Sequence, residues 1–305
     1  MDINLMIEAQ AGVSWPVWQW LVRAAEDLGF AGLYRSDHFP HGSPPQQAAL
    51  ELWTSLTWTA AHTERITFGP LVTPASFRHP AITAWSALQV DDLSGGRLRL
   101  GLGAGWHAGE HTAFGFDLLP LRPRFQRFEE YLTIVTHLLQ RDEPLDFDGS
   151  FYKLRGATLM PRPARPGGPP ITIGGNGPEL TLPLVAKYAA EWNCFWRTPA
   201  QLVALNGRLD ALLAAEGREP ESVRRTMMVG VFFGRDAREL AEVLRAQGRS
   251  AEALRDAGAL VGTPGALRDQ LAELEDLGLD GVMLQWLDVE AMARLEALAA
   301  AVCRR

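Results

Sequence analysis

Gly101-Leu102-Gly103-Ala104-Gly105-Trp106 closes a short apolar run at the place where a nucleotide-binding sheet would carry Gly-x-Gly-x-x-Gly. The first two glycines of that fingerprint are present. Trp106 stands at the third, where a helix must pack against the strand with no side chain between them. The stretch therefore argues against an open doubly wound sheet. The first strand-like run, Ile3 to Ile7, lacks the motif as well.

Outward from there, eight short β-prone runs alternate with longer segments whose apolar residues recur every three or four positions. The runs are Ile3 to Ile7, Ala31 to Tyr34, Ile66 to Leu71, Leu98 to Leu102, Ile171 to Ile173, Trp192 to Trp196, Met227 to Phe233 and Gly281 to Trp286. Between them, Val17, Leu21, Ala24 and Leu28 share one helical face that Gly29 ends; Leu267, Leu271, Leu274 and Leu277 share another that ends at Gly278. Phe125, Phe128, Leu132, Val135 and Leu139 form a third apolar stripe. Eight such units without a dinucleotide fingerprint predict an α/β fold, a (β/α)8 TIM barrel spanning 1–305 as one domain. A barrel needs only about 250 residues, and the excess falls in two places. At about 141–170, Asp146 to Tyr152 reads as a hairpin, and Pro161, Pro163, Pro166, Pro169 and Pro170 exclude a regular helix after it, so this is an insertion loop near the barrel mouth. Arg235 to Thr263 reads as a charged, solvated covering helix.

Of 305 residues, 47% are hydrophobic and 21% charged, enough for a core and unlike a disordered chain. Against 29 Lys and Arg stand 36 Asp and Glu, a net charge of −7 with no basic run, which excludes a nucleic-acid partner. No stretch approaches the ~18 apolar residues of a membrane span. The N-terminus has no basic leader, so a cytoplasmic location is expected. Cys194 and Cys303, one inside an apolar run and one at the C-terminus, form neither a disulfide framework nor a metal-ligand spacing.

In a barrel the chemistry sits where strands end at the C-terminal face. The second run ends in Ser36-Asp37-His38, an acid beside the imidazole best suited to proton transfer near neutral pH; the alternative is that Asp37 caps a turn and His38 is a satisfied loop residue. The third run leads through Leu71-Val72-Thr73-Pro74 to Arg78-His79-Pro80, which by itself reads as a Pro-rich loop. After the fourth, small residues at Gly103, Ala104 and Gly105 let a flat ligand approach the backbone with Trp106 packed against it, or else serve tight strand packing. Gly174-Gly175-Asn176-Gly177-Pro178 follows the fifth run, and Glu179 to Tyr188 reads as a helix with Pro178 near its first position, an arrangement suited to a phosphate as well as to a plain turn. Trp15, Trp18, Phe39, Trp53 and Trp106 are candidates for an aromatic wall at the mouth or for core. His107-Ala108-Gly109-Glu110-His111 fits the His-x-x-Glu-His spacing of zinc peptidases, so a zinc hydrolase using His107, Glu110 and His111 is an alternative. Gly105 and Gly109 weaken the helix that it requires, and no metal ligand is assigned.

Ser36-Asp37-His38, Gly69-Pro70-Leu71-Val72-Thr73-Pro74, Phe77-Arg78-His79-Pro80, Ser94-Gly95-Gly96-Arg97, Gly103-Ala104-Gly105-Trp106 and Gly174-Gly175-Asn176-Gly177 follow one another in an order that resembles the luciferase-like monooxygenase family. The Ser-Asp-His element is similar to the branch that uses the deazaflavin coenzyme F420. The resemblance implies a barrel with insertions, a homodimer, and a flavin-type ring at the C-terminal face backed by a non-prolyl cis peptide at Leu71-Val72. It implies cofactor contacts from Asp37, Leu71, Val72, Thr73, Gly103, Ala104, Gly105, Gly174, Gly175, Asn176 and Gly177, with Asp37, His38 and Trp106 as the catalytic candidates. The implied activity is hydride transfer between F420 and a small organic substrate, with a flavin or F420 reductase as a possible electron donor. An FMN-dependent two-component monooxygenase is the alternative. In one respect the chain departs from the branch: some of its dehydrogenases place a catalytic acid directly after the Gly-x-Gly of the fourth strand, where Trp106 stands here. That argues against a sugar-phosphate substrate.

Overall fold

The computed structural model describes residues 1–40, 47–289 and 291–303. In chain order the first half contains β1 (Asp2–Ile7), α1 (Trp15–Asp27), β2 (Gly32–Arg35), α2 (Leu52–Ala61), β3 (Thr67–Pro70), β4 (Thr73–Pro74), α3 (Pro80–Leu93), β5 (Leu100–Gly103), α4 (Ala108–Phe114) and α5 (Leu121–Gln140). The second half contains β6 (Leu145–Asp148), β7 (Lys153–Ala157), β8 (Ile171–Gly174), α6 (Thr181–Tyr188), β9 (Glu191–Phe195), α7 (Pro199–Ala215), β10 (Arg224–Phe233), α8 (Ala237–Gln247), α9 (Ala251–Asp256), β11 (Leu260–Gly262), α10 (Pro264–Asp276), β12 (Gly281–Trp286) and α11 (Met292–Val302).

Parallel strands run in the order β3-β2-β1-β12-β10-β9-β8-β5-β4, with β11 attached to β10. The ends of that order meet where the Phe68 N–H donates to Arg97 O at 3.2 Å and the Arg99 N–H to Phe68 O at 2.9 Å, so the sheet closes on itself. Helices between consecutive strands cover the outside, as the strand-helix rhythm requires. Local chemistry sets where they begin. Pro16 occupies the first turn of α1, where its missing N–H costs nothing, and Thr198 with Gln201 forms a capping box at the start of α7. The apolar helix faces pack outside the strands in one large core cluster, while Met6, Tyr34, Leu71 and Met283 fill the barrel interior with Val72 and Met228 packed against them.

All eight sequence-read runs are strands, with ends shifted by a few residues. Within 141–170, β6 and β7 form the expected antiparallel hairpin. Two stretches differ from their sequence reading. The run Ile66 to Leu71 is β3, ending at Pro70; a further short strand, β4, which the sequence did not show, pairs with β5 after the Leu71-Val72 peptide, which is cis as the family resemblance implies. The stretch Arg235 to Thr263 is not a single helix but α8, α9 and the short β11; α8 has no buried residue, as a solvated cover would. Both cysteines are free, and burial pushes the Cys194 thiol up to about 12. Among the described residues no helix is long and apolar enough to cross a membrane.

Candidate active site

The C-terminal end of β2 is anchored from below. Arg35, with no exposed surface, donates to Ser36 O, to Leu50 O at 2.6 Å and to Ser55 Oγ, and lies 5.5 Å from the Trp18 ring. Burial lowers its pKa to about 10, still far above neutral pH. With that strand end fixed, Asp37 and His38 face different partners.

Asp37 is 5% exposed, and its Oδ2 accepts from Thr73 Oγ1 at 2.7 Å and from Arg78 Nη1 at 2.5 Å. Arg78 Nη2 continues to Glu51 Oε1 at 2.8 Å. Burial works against the Arg78 charge, but Asp37 and Glu51 outweigh it and raise its pKa. The pair ties the end of β2 to the bulge after β3 and to the N-terminus of α2.

His38 Nδ1 lies 2.8 Å from Glu110 Oε1, and the Phe39 N–H donates to Glu110 Oε2 at 3.0 Å. Glu110, 1% exposed, sits in the first turn of α4. Burial opposes charge on His38, yet the hydrogen bond and charge of Glu110, then the charges of Glu8 and Asp37, raise its pKa. Burial would raise Glu110, and His38, the Phe39 N–H and His107 together lower it. Each group favours the charged form of the other. The edge of the Trp106 ring, 68% exposed, meets His38 at a centroid distance of 5.9 Å.

The bulge forms the floor between these groups. Leu71 points into the barrel interior, and Val72 lies in a bed of glycines. A Cβ on Gly103 would come within 2.6 Å of Val72 Cγ2, and one on Gly101 or Gly174 within 3.1 or 3.0 Å of Val72 Cγ1. These glycines thus make room for the Val72 side chain, which stays partly exposed. Gly105 adopts φ +85°, and its carbonyl accepts from Arg124 Nη1 at 2.9 Å.

On the far wall, the Asn176 amide is committed to the end of β9: its Nδ2 donates to Phe195 O at 2.9 Å and its Oδ1 accepts from the Phe195 N–H at 3.0 Å. The Gly175 N–H donates to Asn193 O, whereas those of Asn176 and Gly177 make no hydrogen bond among the described residues. The following helix, α6, starts at Thr181 rather than Glu179, with Pro178 in the preceding turn and the Thr181 and Leu182 N–H groups both donating to Gly177 O.

Sequence reasoning singled out Asp37, His38, the Leu71-Val72 bulge and the glycine loops, and these come together at the mouth. It missed the part of Glu110, which it met only as one letter of the zinc pattern. That segment does form a helix despite Gly109, because His107 caps it by accepting from the Glu110 N–H. The zinc arrangement does not follow. Glu110 turns to His38, while His111 donates from Nδ1 to His107 O and faces Ser76 Oγ through Nε2 at 2.8 Å. Among the described residues no group of three His, Cys, Asp or Glu is placed to hold a metal ion. The aromatic wall also differs: Trp18 and Trp53 are core and Trp15 packs against it, leaving Phe39 and Trp106, joined by Phe77, Phe114 and Phe116 around Phe39. A cavity of about 240 Å³ lined by Phe232, Val243, Trp286 and Arg294 contains none of the sequence-read site residues.

A profile of luciferase-like monooxygenase sequences matches residues 9–256. An F420-dependent glucose-6-phosphate dehydrogenase of Intrasporangium calvum is 31% identical over 224 residues, which are 70% of this chain and 64% of that protein, so the match spans less than two thirds of the relative's length. Two solved structures share the fold over nearly the whole of both chains. An F420-dependent secondary alcohol dehydrogenase in complex with an F420-acetone adduct superposes with a TM-score of 0.83 at 18% identity, covering 100% of this chain and 99% of that one. A monooxygenase from Streptomyces bottropensis superposes with a TM-score of 0.81 at 21% identity, covering 99% and 98%. With the bulge, the strand-end motifs and most of the barrel inside the span of that profile, the chain belongs to the luciferase-like monooxygenase family.

Proposed function

We propose that this protein is an oxidoreductase that uses coenzyme F420 to move a hydride to or from a small organic substrate, with His38 exchanging the accompanying proton. The observation that carries the reading is the pairing of a histidine held by Glu110 at the end of β2 with a partly exposed bulge at Val72 seated among glycines. The relative named as an F420-dependent dehydrogenase supports the choice of cofactor.

The residues present fit such a group. The glycines at 101, 103 and 174 seat the Val72 side chain, whose partly exposed surface would back a flat ring. The unengaged N–H groups of Asn176 and Gly177, held by the Asn176 clamp on Phe195, suit an anionic phosphate. A deazaflavin, when bound, supplies a ring carbon that accepts and returns a hydride. The chain's own residues do the rest. Asp37, fixed by Arg78 and Thr73, holds the bulge against the end of β2. Trp106 and Phe114, 68% and 44% exposed, offer apolar surface near His38 and shield the mouth from water, which favours an alcohol or carbonyl substrate with an apolar body.

Oxygen consumption tests this directly. Hydride exchange with a 5-deazaflavin proceeds under anaerobic conditions, so turnover of alcohols or carbonyl compounds with F420 is expected to be unchanged when oxygen is removed. Product formation that requires oxygen and FMN would replace this reading with the two-component monooxygenase.

A further inference from the structure

Glu110 is one of the most deeply buried carboxylates at the mouth, and both of its oxygens serve the segment that carries His38: Oε1 the imidazole, Oε2 the Phe39 N–H. A carboxylate held at two points cannot swing away to a ligand, and it accepts hydrogen bonds only. The ring nitrogen facing it at 2.8 Å must therefore be a donor, in the neutral as well as the charged ring.

We infer that Glu110 is the positioning residue for proton transfer, fixing His38 as the Nδ1–H tautomer so that its exchangeable proton is taken up and released at Nε2. This rests on the proposed function for its use in turnover, but the tautomer is a property of the protein alone. In the oxidation of an alcohol the hydroxyl proton would pass to Nε2 while a deazaflavin held at the mouth would supply the hydride acceptor, leaving the carbon–oxygen double bond. In the reverse direction Nε2 returns the proton to the new hydroxyl. Nδ1 keeps its own proton throughout, and Glu110 stays ionised.

Other charges among the described residues face His38, and none substitutes for this contact. Glu8 reaches it from the end of β1, where it also accepts from Gln285 Nε2 at 2.6 Å and from Gln10 Nε2 at 2.9 Å. Asp37, on the same strand end, is bound to Arg78. His107, the N-cap of α4, has its ring 6.2 Å away. The directions agree with the geometry: His38 is raised and Glu110 lowered.

The test is nitrogen NMR of the imidazoles in the full-length protein, with His38→Asn to assign the His38 signals. In the wild type at high pH, His38 is expected as the Nδ1–H tautomer. In Glu110→Gln, which keeps the shape but removes the charge, its midpoint is expected to fall by about 1–3 pH units; the limb of the kcat profile that reports His38 should fall with it. Glu110→Asp restores the charge and should return most of the shift, a rescue that a packing role would not give. An Nε2–H tautomer in the wild type, a measurement that needs no variant to fold, overturns the inference. So does an unmoved midpoint in Glu110→Gln. A wild-type protein that fails to bind F420 overturns the proposed function and the use of this proton with it, whereas either NMR failure in a protein that binds F420 overturns the role of Glu110 alone.

Discussion

Replacing Gly101 with alanine should cost about 3 kcal/mol or more of stability, at the upper end for a single added methyl group. A Cβ there would lie 2.0 Å from the Pro70 carbonyl oxygen and 3.1 Å from Val72 Cγ1. The first neighbour is backbone, held by the pairing of β2 with β3, so it cannot rotate away as a side chain would. The second is the residue on which the proposed ring rests. Either β5 moves outward, breaking its pairing with β8, or the bulge moves up into the mouth. Gly265→Ala is the control: it lies in the first turn of α10 with nothing within 4 Å of its added Cβ, and should be neutral or slightly stabilising. Chemical denaturation of both variants checks the contrast. A Gly101→Ala protein within about 1 kcal/mol of wild type, the loss of one ordinary hydrogen bond, would mean that β5 and the bulge are not packed as described.

Removing the His38 side chain should lower turnover by about 10²-fold or more while F420 affinity stays within about 3-fold of wild type. The ring is 13% exposed and held through Nδ1, so it is oriented for proton exchange but is not part of the floor or the phosphate loop. Alanine leaves Glu110 buried with only the Phe39 N–H as partner, a change that carries a stability cost of its own. His38→Asn is therefore made beside it, since an amide can still donate to Glu110 but cannot carry a proton. Both variants should lose turnover alike, measured with whichever alcohol or carbonyl compound the wild type converts. Turnover retained in His38→Asn would show that His38 serves as a hydrogen-bond partner and not as the acid or base.

The barrel was legible because its signal is repeated. Each strand buried on both faces is a short apolar run, each covering helix an apolar stripe, and eight repetitions leave little choice of architecture. What escaped was short. Leu260–Gly262 and Thr73–Pro74 are too brief to show a period, and the Leu71-Val72 bulge between β3 and β4 was reached only through the family resemblance. In the site, Asp37 and His38 could be found because they follow a strand directly. Their partners could not, because contacts across the mouth join residues far apart in sequence: Glu110 comes from the helix after β5, 72 residues beyond His38, and Arg78 from the loop 41 residues beyond Asp37. The His-x-x-Glu-His spacing drew attention to the right carboxylate with the wrong chemistry, since spacing on a helix says which side chains are neighbours but not which element they meet. Likewise the glycines of 101–105 suggested a close approach of something flat, and what approaches them is this chain itself: the Pro70 carbonyl and Val72 at Gly101, Val72 at Gly103, and Ser76 and Pro74 at Gly105.

A mouth built in this way is expected to take a deazaflavin. A side-by-side equilibrium titration of the purified protein with coenzyme F420 and with FMN, read by fluorescence, tests it most directly. Saturable, stoichiometric binding of F420 is expected, at least about 10-fold tighter than that of FMN, a difference of about 1.4 kcal/mol. Preferential binding of FMN, or binding of neither, would contradict it.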